Sequence, residues 1–242
     1  MENEIWITRI FNDHLSGLGN ALLGLVGMHG QAHPWANYIT MEILVVAIIM
    51  VLFAVLRTQL SVEKPGKLQH TFELIYGFVR STAVDQIGHD GPKHVAFCGT
   101  LFVFILFMNL IGIIPGFESP TQTPSVTAGC AVAAFFYYNI MGVMALGPLK
   151  YAAHFAGPVW WLSPLMIPIE IVSHLARPLS LTIRLFANMF AGEKVTMVFM
   201  GLVSLGVPVV FMGLHVFVSL LQAYIFMILT MVYVGTSVAH EH

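Results

Sequence analysis

Arg184 lies in LSLTIRLFANMFAGEKV, residues 179–195, a stretch otherwise apolar enough to sit in a bilayer. A guanidinium stays protonated and cannot pass a proton on, but it attracts carboxylates and repels mobile cations. The same apolar segment also carries Glu170, Ser173, His174, Arg177, Ser180, Asn188 and Glu193. The next one carries His215, Ser219, Gln222 and Tyr233. Within a membrane, carboxylates and imidazoles mark proton relays. The chemistry these types allow is proton transfer interrupted by a fixed cation.

Spacing sorts them. At 100° per residue, Glu170, Arg177, Arg184 and Asn188 fall within about 40° of one another, and Ser173, His174 and Ser180 flank that line. Glu193 lies off the stripe, toward the outer end. His215 and Gln222 are seven residues apart and share a helix face. If the two segments form an antiparallel hairpin turning at GLVSLGVP, His215 comes level with Lys194, beside Glu193. Gln222 then comes level with Ala187, between Arg184 and Asn188. Glu170 falls about 21 Å along the helix from Arg184, on the cytoplasmic side. Asn109, in FMNLIGIIPG, is placed to join the outer group. The facing segment offers no carboxylate level with Arg184, so its partner is expected from another subunit.

The elements that must position these groups are membrane helices. Of 242 residues, 57% are hydrophobic and 9% charged, where a soluble domain carries about a quarter charged. Apolar runs at 38–57, 95–115, 125–147, 163–201 and 207–238 predict five crossings. The fourth exceeds a perpendicular crossing and is expected to tilt, with Pro178 a candidate kink. Residues 60–92 mix charges with Phe72, Leu74, Ile75, Phe78 and Val79 and read as an in-plane amphipathic helix. The glycine-rich stretch 15–28 reads as surface-lying. The expected organisation is an extracytoplasmic segment, 1–37, and a membrane domain, 38–242, whose channel hairpin is 163–238. Arg57, Lys64, Lys67, Arg80, Lys93 and Lys150 sit in loops on one side, which predicts an outer N-terminus and a cytoplasmic C-terminus.

Other readings compete at each position. Arg177 can snorkel to the interface. Ser173, His174, His215 and Gln222 can serve as interhelical hydrogen bonds. Glu193 with Lys194 can mark an interface, and the Ala187, Ala191, Gly192 strip can be ordinary packing. The remaining histidines (His14, His29, His33, His70, His89, His94 and His154) read as solvated. Cys98 and Cys130 sit in apolar runs, which argues against a disulfide framework or a cysteine-rich metal site. The tail HEH lacks companion ligands. The start, MENEIW, has no basic region and makes a poor signal peptide. No cofactor or metal is expected.

PLSLTIRLFANMFAGE (178–193) closely resembles the signature of subunit a of the rotary F-type ATP synthases. LHVFVSLLQAYIFMILTMVYV (214–234) resembles that family's last helix, and FMNLIGIIPG (107–116) and IPIEIVSHLARPLSL (167–181) match its other recurrent stretches. The similarity runs from about residue 38 onward; residues 1–37 contribute nothing to it. Ala187 stands where many bacterial members have glycine. The resemblance implies a proton-translocating stator subunit of the bacterial energy-coupling membrane, with catalysis in other subunits. It implies a c-ring carboxylate facing Arg184, peripheral-stalk b subunits as further partners, and Asn188 and Gln222 beside the arginine. It places Glu193, His215 and Asn109 on the outer half-channel and Glu170 and Ser180 on the cytoplasmic one.

Two other classes compete with this one. A stand-alone cation/proton transporter usually shows internal repeats and paired mid-depth carboxylates, and neither occurs. An intramembrane metalloprotease would need a motif such as H-E-x-x-H, which is absent.

Overall fold

The computed structural model describes residues 4–25, 33–61, 63–114, 116–154, 163–202 and 206–238. Among them the chain forms eight α-helices: α1 (Trp6–Leu25), α2 (Asn37–Thr58), α3 (Lys67–Ile87), α4 (Gly91–Ile111), α5 (Pro124–Leu146), α6 (Pro148–His154), α7 (Ser163–Leu202) and α8 (Gly206–Val238). A single 3-10 turn, Pro120–Gln122, precedes α5. No strand occurs among the described residues. In lipid, where every backbone N–H and C=O needs a partner, helices supply those partners within one segment.

Four helices are long and apolar enough to cross a membrane: α2, α4, α5 and the Val209–Val238 part of α8. They coincide with four of the five expected crossings. The fifth expected crossing is α7, which is 40 residues long but is not among the four. Its polar stripe and the Glu193–Lys194 pair lower its mean hydropathy. α7 also runs as one helix through Pro168 and Pro178. The Thr182 hydroxyl donates to the Pro178 carbonyl at 2.8 Å.

The 15–28 stretch is longer and better anchored than its glycines suggest. α1 begins already at Trp6 and docks on the start of α2. The Ile5 N–H donates to Asn37 Oδ1 (3.2 Å), the Thr8 and Thr40 hydroxyls pair (2.7 Å), and Asn12 brackets the Trp35 backbone through both ends of its amide. Residues 26–28 of that stretch lie outside the described residues.

α3 covers the heart of the segment read as amphipathic. It ends at Gly88, whose φ of +85° suits a residue without Cβ, and whose N–H caps the Val84 carbonyl at 2.9 Å. The chain then doubles back into α4. Val79 packs toward Gly99, and the Phe78 ring contacts those of Phe102 and Tyr224. His94, read from sequence as solvated, is instead buried, with Nδ1 2.9 Å from the Tyr137 hydroxyl. A polar group at an apolar helix start stays in the core when a facing helix supplies its hydrogen bond. Just before it, half-buried Asp90 pairs with Lys93 at 2.6 Å, which holds its carboxyl below the usual carboxylate range.

α4, α5, α7 and α8 enclose the core. Ile105, Met108, Ala134, Leu185, Met189, Phe226, Met227 and Met231 are almost fully buried. Between lipid-embedded helices the hydrophobic effect contributes little, so close packing and interhelical hydrogen bonds hold them together.

Candidate functional site: a polar seam between α7 and α8

α7 and α8 pack antiparallel in one register along their length. Arg177 lies 5.3 Å over the Tyr233 ring, Asn188 Nδ2 donates to Gln222 Oε1 at 2.7 Å, and Phe199 stacks on Phe211 at 4.3 Å. Gly192 abuts the His215 ring so closely that a Cβ there would stand 2.8 Å from Nδ1. Gln222 meets Asn188, and His215 sits beside the Gly192–Glu193 step. This is the register expected from the turn position, within a residue or two.

The seam has an outer group. Glu193 and His215 are 9% and 8% exposed, and both line a cavity of about 220 Å³ with Gly112, Phe117, Thr196 and Met212. Asn109, fully buried, bridges two elements. Its Nδ2 donates to the Ser219 carbonyl (3.2 Å), and its Oδ1 accepts from the Thr121 hydroxyl (2.7 Å). Ser119 pairs with Thr121 (2.7 Å) and donates to the Met108 carbonyl (2.9 Å), which ties the turn to the end of α4. Glu193 Oε2, His215 Nε2, Ser219 Oγ and Gln222 Nε2 are buried and hydrogen-bond to no described residue. Buried polar atoms of that kind are rare in static cores, and each calls for an explanation such as a functional role.

This end depends on close approach at Gly112. A Cβ there would lie 2.8 Å from the Ser119 backbone nitrogen. Gly112→Ala is therefore expected to cost about 1–3 kcal/mol, as overpacking does. Quantitative blotting of membranes should show less accumulated chain; wild-type amounts would show that the turn can move aside.

In the middle stands Arg184, half-buried. Among the described residues no ion pair includes it. Ile183, Ala187, Phe190 and Ala191 on α7 are exposed around it, and Phe217, Leu220 and Leu221 are exposed on α8.

The inner group is organised by α5 and α6. Glu170 and Arg177 approach within 3.9 Å, each about one-third exposed or less. His174 Nε2 lies 2.8 Å from Asn139 Oδ1, which also accepts from the Tyr151 hydroxyl at 2.8 Å. Because the Asn139 Nδ2 donates to the Phe135 carbonyl, its oxygen is left to accept, so His174 carries its proton on Nε2. Burial raises the Tyr151 phenol above its usual range and keeps it a donor. Ser173 and Ser180 are exposed on α7 and contribute nothing to this cluster. Asn139, Tyr151 and Thr121 were absent from the residues singled out by sequence. Asn139 had a signal, being an amide inside an apolar span; Thr121 and Tyr151, in short connections, had none.

A model of the ATP synthase A chain family matches residues 39–235. The chain belongs to the ATP synthase subunit a family. It is 70% identical to ATP synthase subunit a of Solibacter usitatus over 96% of this chain and all of that one. It is 49% identical to that of Koribacter versatilis over the full length of both, and 45% identical to that of Nitratidesulfovibrio vulgaris over 81% and 83%. As a subunit a, the chain is a proton-translocating membrane subunit, and ATP chemistry lies in other subunits of the complex. The polar seam lies wholly within the matched residues.

Proposed function

We propose that α7 and α8 form the stationary wall of two proton half-paths that load and unload carboxylates on a rotating c-ring. Protons enter from outside past Asn109, Glu193 and His215 and neutralise a ring carboxylate. The neutral site turns into lipid and travels round. On return it meets Arg184, gives up its proton toward Ser180 and Glu170, and the proton leaves to the cytoplasm. Asn188 and Gln222 hold the wall beside the arginine. Arg184 steadies the ionised carboxylate in passing and keeps protons from crossing without rotation.

The carrying observation is an arginine without an ion-pair partner among the described residues, standing on an exposed small-residue face between two titratable groups. A cation in a bilayer needs a counter-charge, and a strip of Ala187 and Ala191 lets a partner helix approach closely. A stand-alone cation/proton transporter is the less favoured reading, since it would keep its carboxylate partner within the chain.

The same proposal covers the layout. α2, α4, α5, α7 and α8 cross the membrane, with α7 steeply tilted, because 40 residues extend about 60 Å against a hydrocarbon core of about 30 Å. α3 lies in the membrane plane, where exposed Leu74, Tyr76 and Phe78 meet lipid beside the exposed charges of Glu73 and Arg80. Residues 1–37 are extracytoplasmic, 38–242 make the membrane domain with its channel hairpin at 163–238, and the C-terminus is cytoplasmic. The setting is a bacterial inner membrane, and the b subunits of the peripheral stalk hold the chain fixed.

A cross-link tests the docking face. In assembled membranes, Ala187→Cys is expected to form a disulfide with a cysteine placed beside the ring carboxylate. Oxidation should stop ATP-driven pumping and reduction should restore it. If Met50→Cys, on the exposed surface of α2, links as readily, the face is wrongly assigned.

A further inference from the structure

We infer that Glu118 is a second acid of the outer path, which takes up protons from outside and hands them to Glu193, and that Asn37 is its positioning residue. The inference rests on the half-path reading of Glu193.

Glu118 sits between the end of α4 and the 3-10 turn. Asn37 Nδ2 donates to its Oε2 at 3.3 Å. Asn37 is itself 9% exposed, and its Oδ1 accepts the Ile5 N–H at 3.2 Å, so the amide cannot swing away from Glu118 without losing that bond. Phe117, the preceding residue, lines the same cavity as Glu193 and His215. Glu118 stands close enough to Glu193 for its charge to act on that carboxyl, and Gln122 of the turn also reaches Glu193. The other charged group acting there is Lys194, which is exposed; on α8 the titratable group is His215.

Two carboxylates near enough for one charge to act on the other resist being ionised together. A proton arriving at the pair is therefore held by one of them, and Glu118, half-buried where Glu193 is buried, is the member nearer to solvent. The transfer balances simply. Glu118 binds a proton from outer water and releases it to the Glu193 carboxylate. Glu118 is left ionised for the next, while Glu193 passes its own onward. A purely structural Glu118 would accept hydrogen bonds such as that from Asn37 and carry no proton.

Glu118→Gln separates the two roles, because a glutamine oxygen still accepts from Asn37 but the side chain cannot carry a proton. The experiment measures passive proton flux per assembled complex, in vesicles stripped of the catalytic head, with the amount of assembled complex measured alongside. Glu118→Gln is expected to slow flux about tenfold, less than the hundredfold or more that a positioned acid typically contributes, and Glu118→Asp to recover most of it. Wild-type flux per complex in Glu118→Gln would overturn the inference, as would a loss confined to the amount assembled. In the same preparation Glu193→Gln serves as reference. If it too conducts normally, the half-path reading itself has failed; if it is slow and Glu118→Gln is not, only the present inference falls.

Discussion

Arg184→Ala is expected to abolish ATP-driven proton pumping in inverted membrane vesicles, while the complex still assembles. The physical reason is the seat of the charge. The guanidinium is half-buried in the seam and has no ion-pair partner among the described residues, so on the proposed reading its counter-charge arrives with the ring. Removing one member of a buried ion pair costs about 3–5 kcal/mol. At 1.36 kcal/mol per factor of ten in rate, that predicts a loss of roughly a hundredfold to five-thousandfold. A second readout distinguishes barrier from scaffold: the alanine variant should leak protons passively, because nothing then repels them between the outer and inner groups. Arg184→Lys should fall between, since a desolvated ammonium deprotonates and then relays protons itself. Normal pumping by Arg184→Ala would sink the mechanism.

Glu193→Gln should slow proton flux by about one to two orders of magnitude without changing the amount of assembled complex. General acid–base groups contribute typically 10²–10⁴-fold, and His215 on the same cavity sustains part of the traffic. The carboxamide fits the same space, so the packing around Gly192 and His215 is preserved. The measurement is flux driven by an imposed pH gradient, compared with a wild-type preparation of equal subunit content. Unchanged flux would return Glu193 to the role of an interface marker beside Lys194.

The hairpin was legible because both of its arms are helices of equal rise. Locating the turn then fixes which residues meet, and Asn188 meets Gln222 as expected. The four strongly apolar spans were legible for the same elementary reason, length against bilayer thickness. What escaped was held by partners distant in sequence. Nothing near His94 announces Tyr137, and nothing near Asn109 announces Thr121, because hydropathy reports burial and is silent on the hydrogen bond that permits it. α1 escaped for a different reason. Its glycines hid a helix that is fixed by three side-chain contacts to the start of α2 and the residues before it. The polar stripe on α7 was readable from angles alone. Its apolar surroundings were readable too, but the cluster of Asn139, Tyr151 and His174 required the fold.

The same stripe bears on biogenesis. α7 carries Arg184 and, although the longest helix, is absent from the four most apolar spans. An arginine at the bilayer centre adds about 2.5–3.5 kcal/mol to insertion, so α7 enters the membrane more readily when already zipped to α8 than by itself. If the ring docks there as proposed, a newly made chain waiting for it leaves that half-buried cation without a counter-charge, and docking relieves the penalty. On the proposed reading, the energetic pull toward assembly is thus concentrated at the residue that also separates the two half-paths.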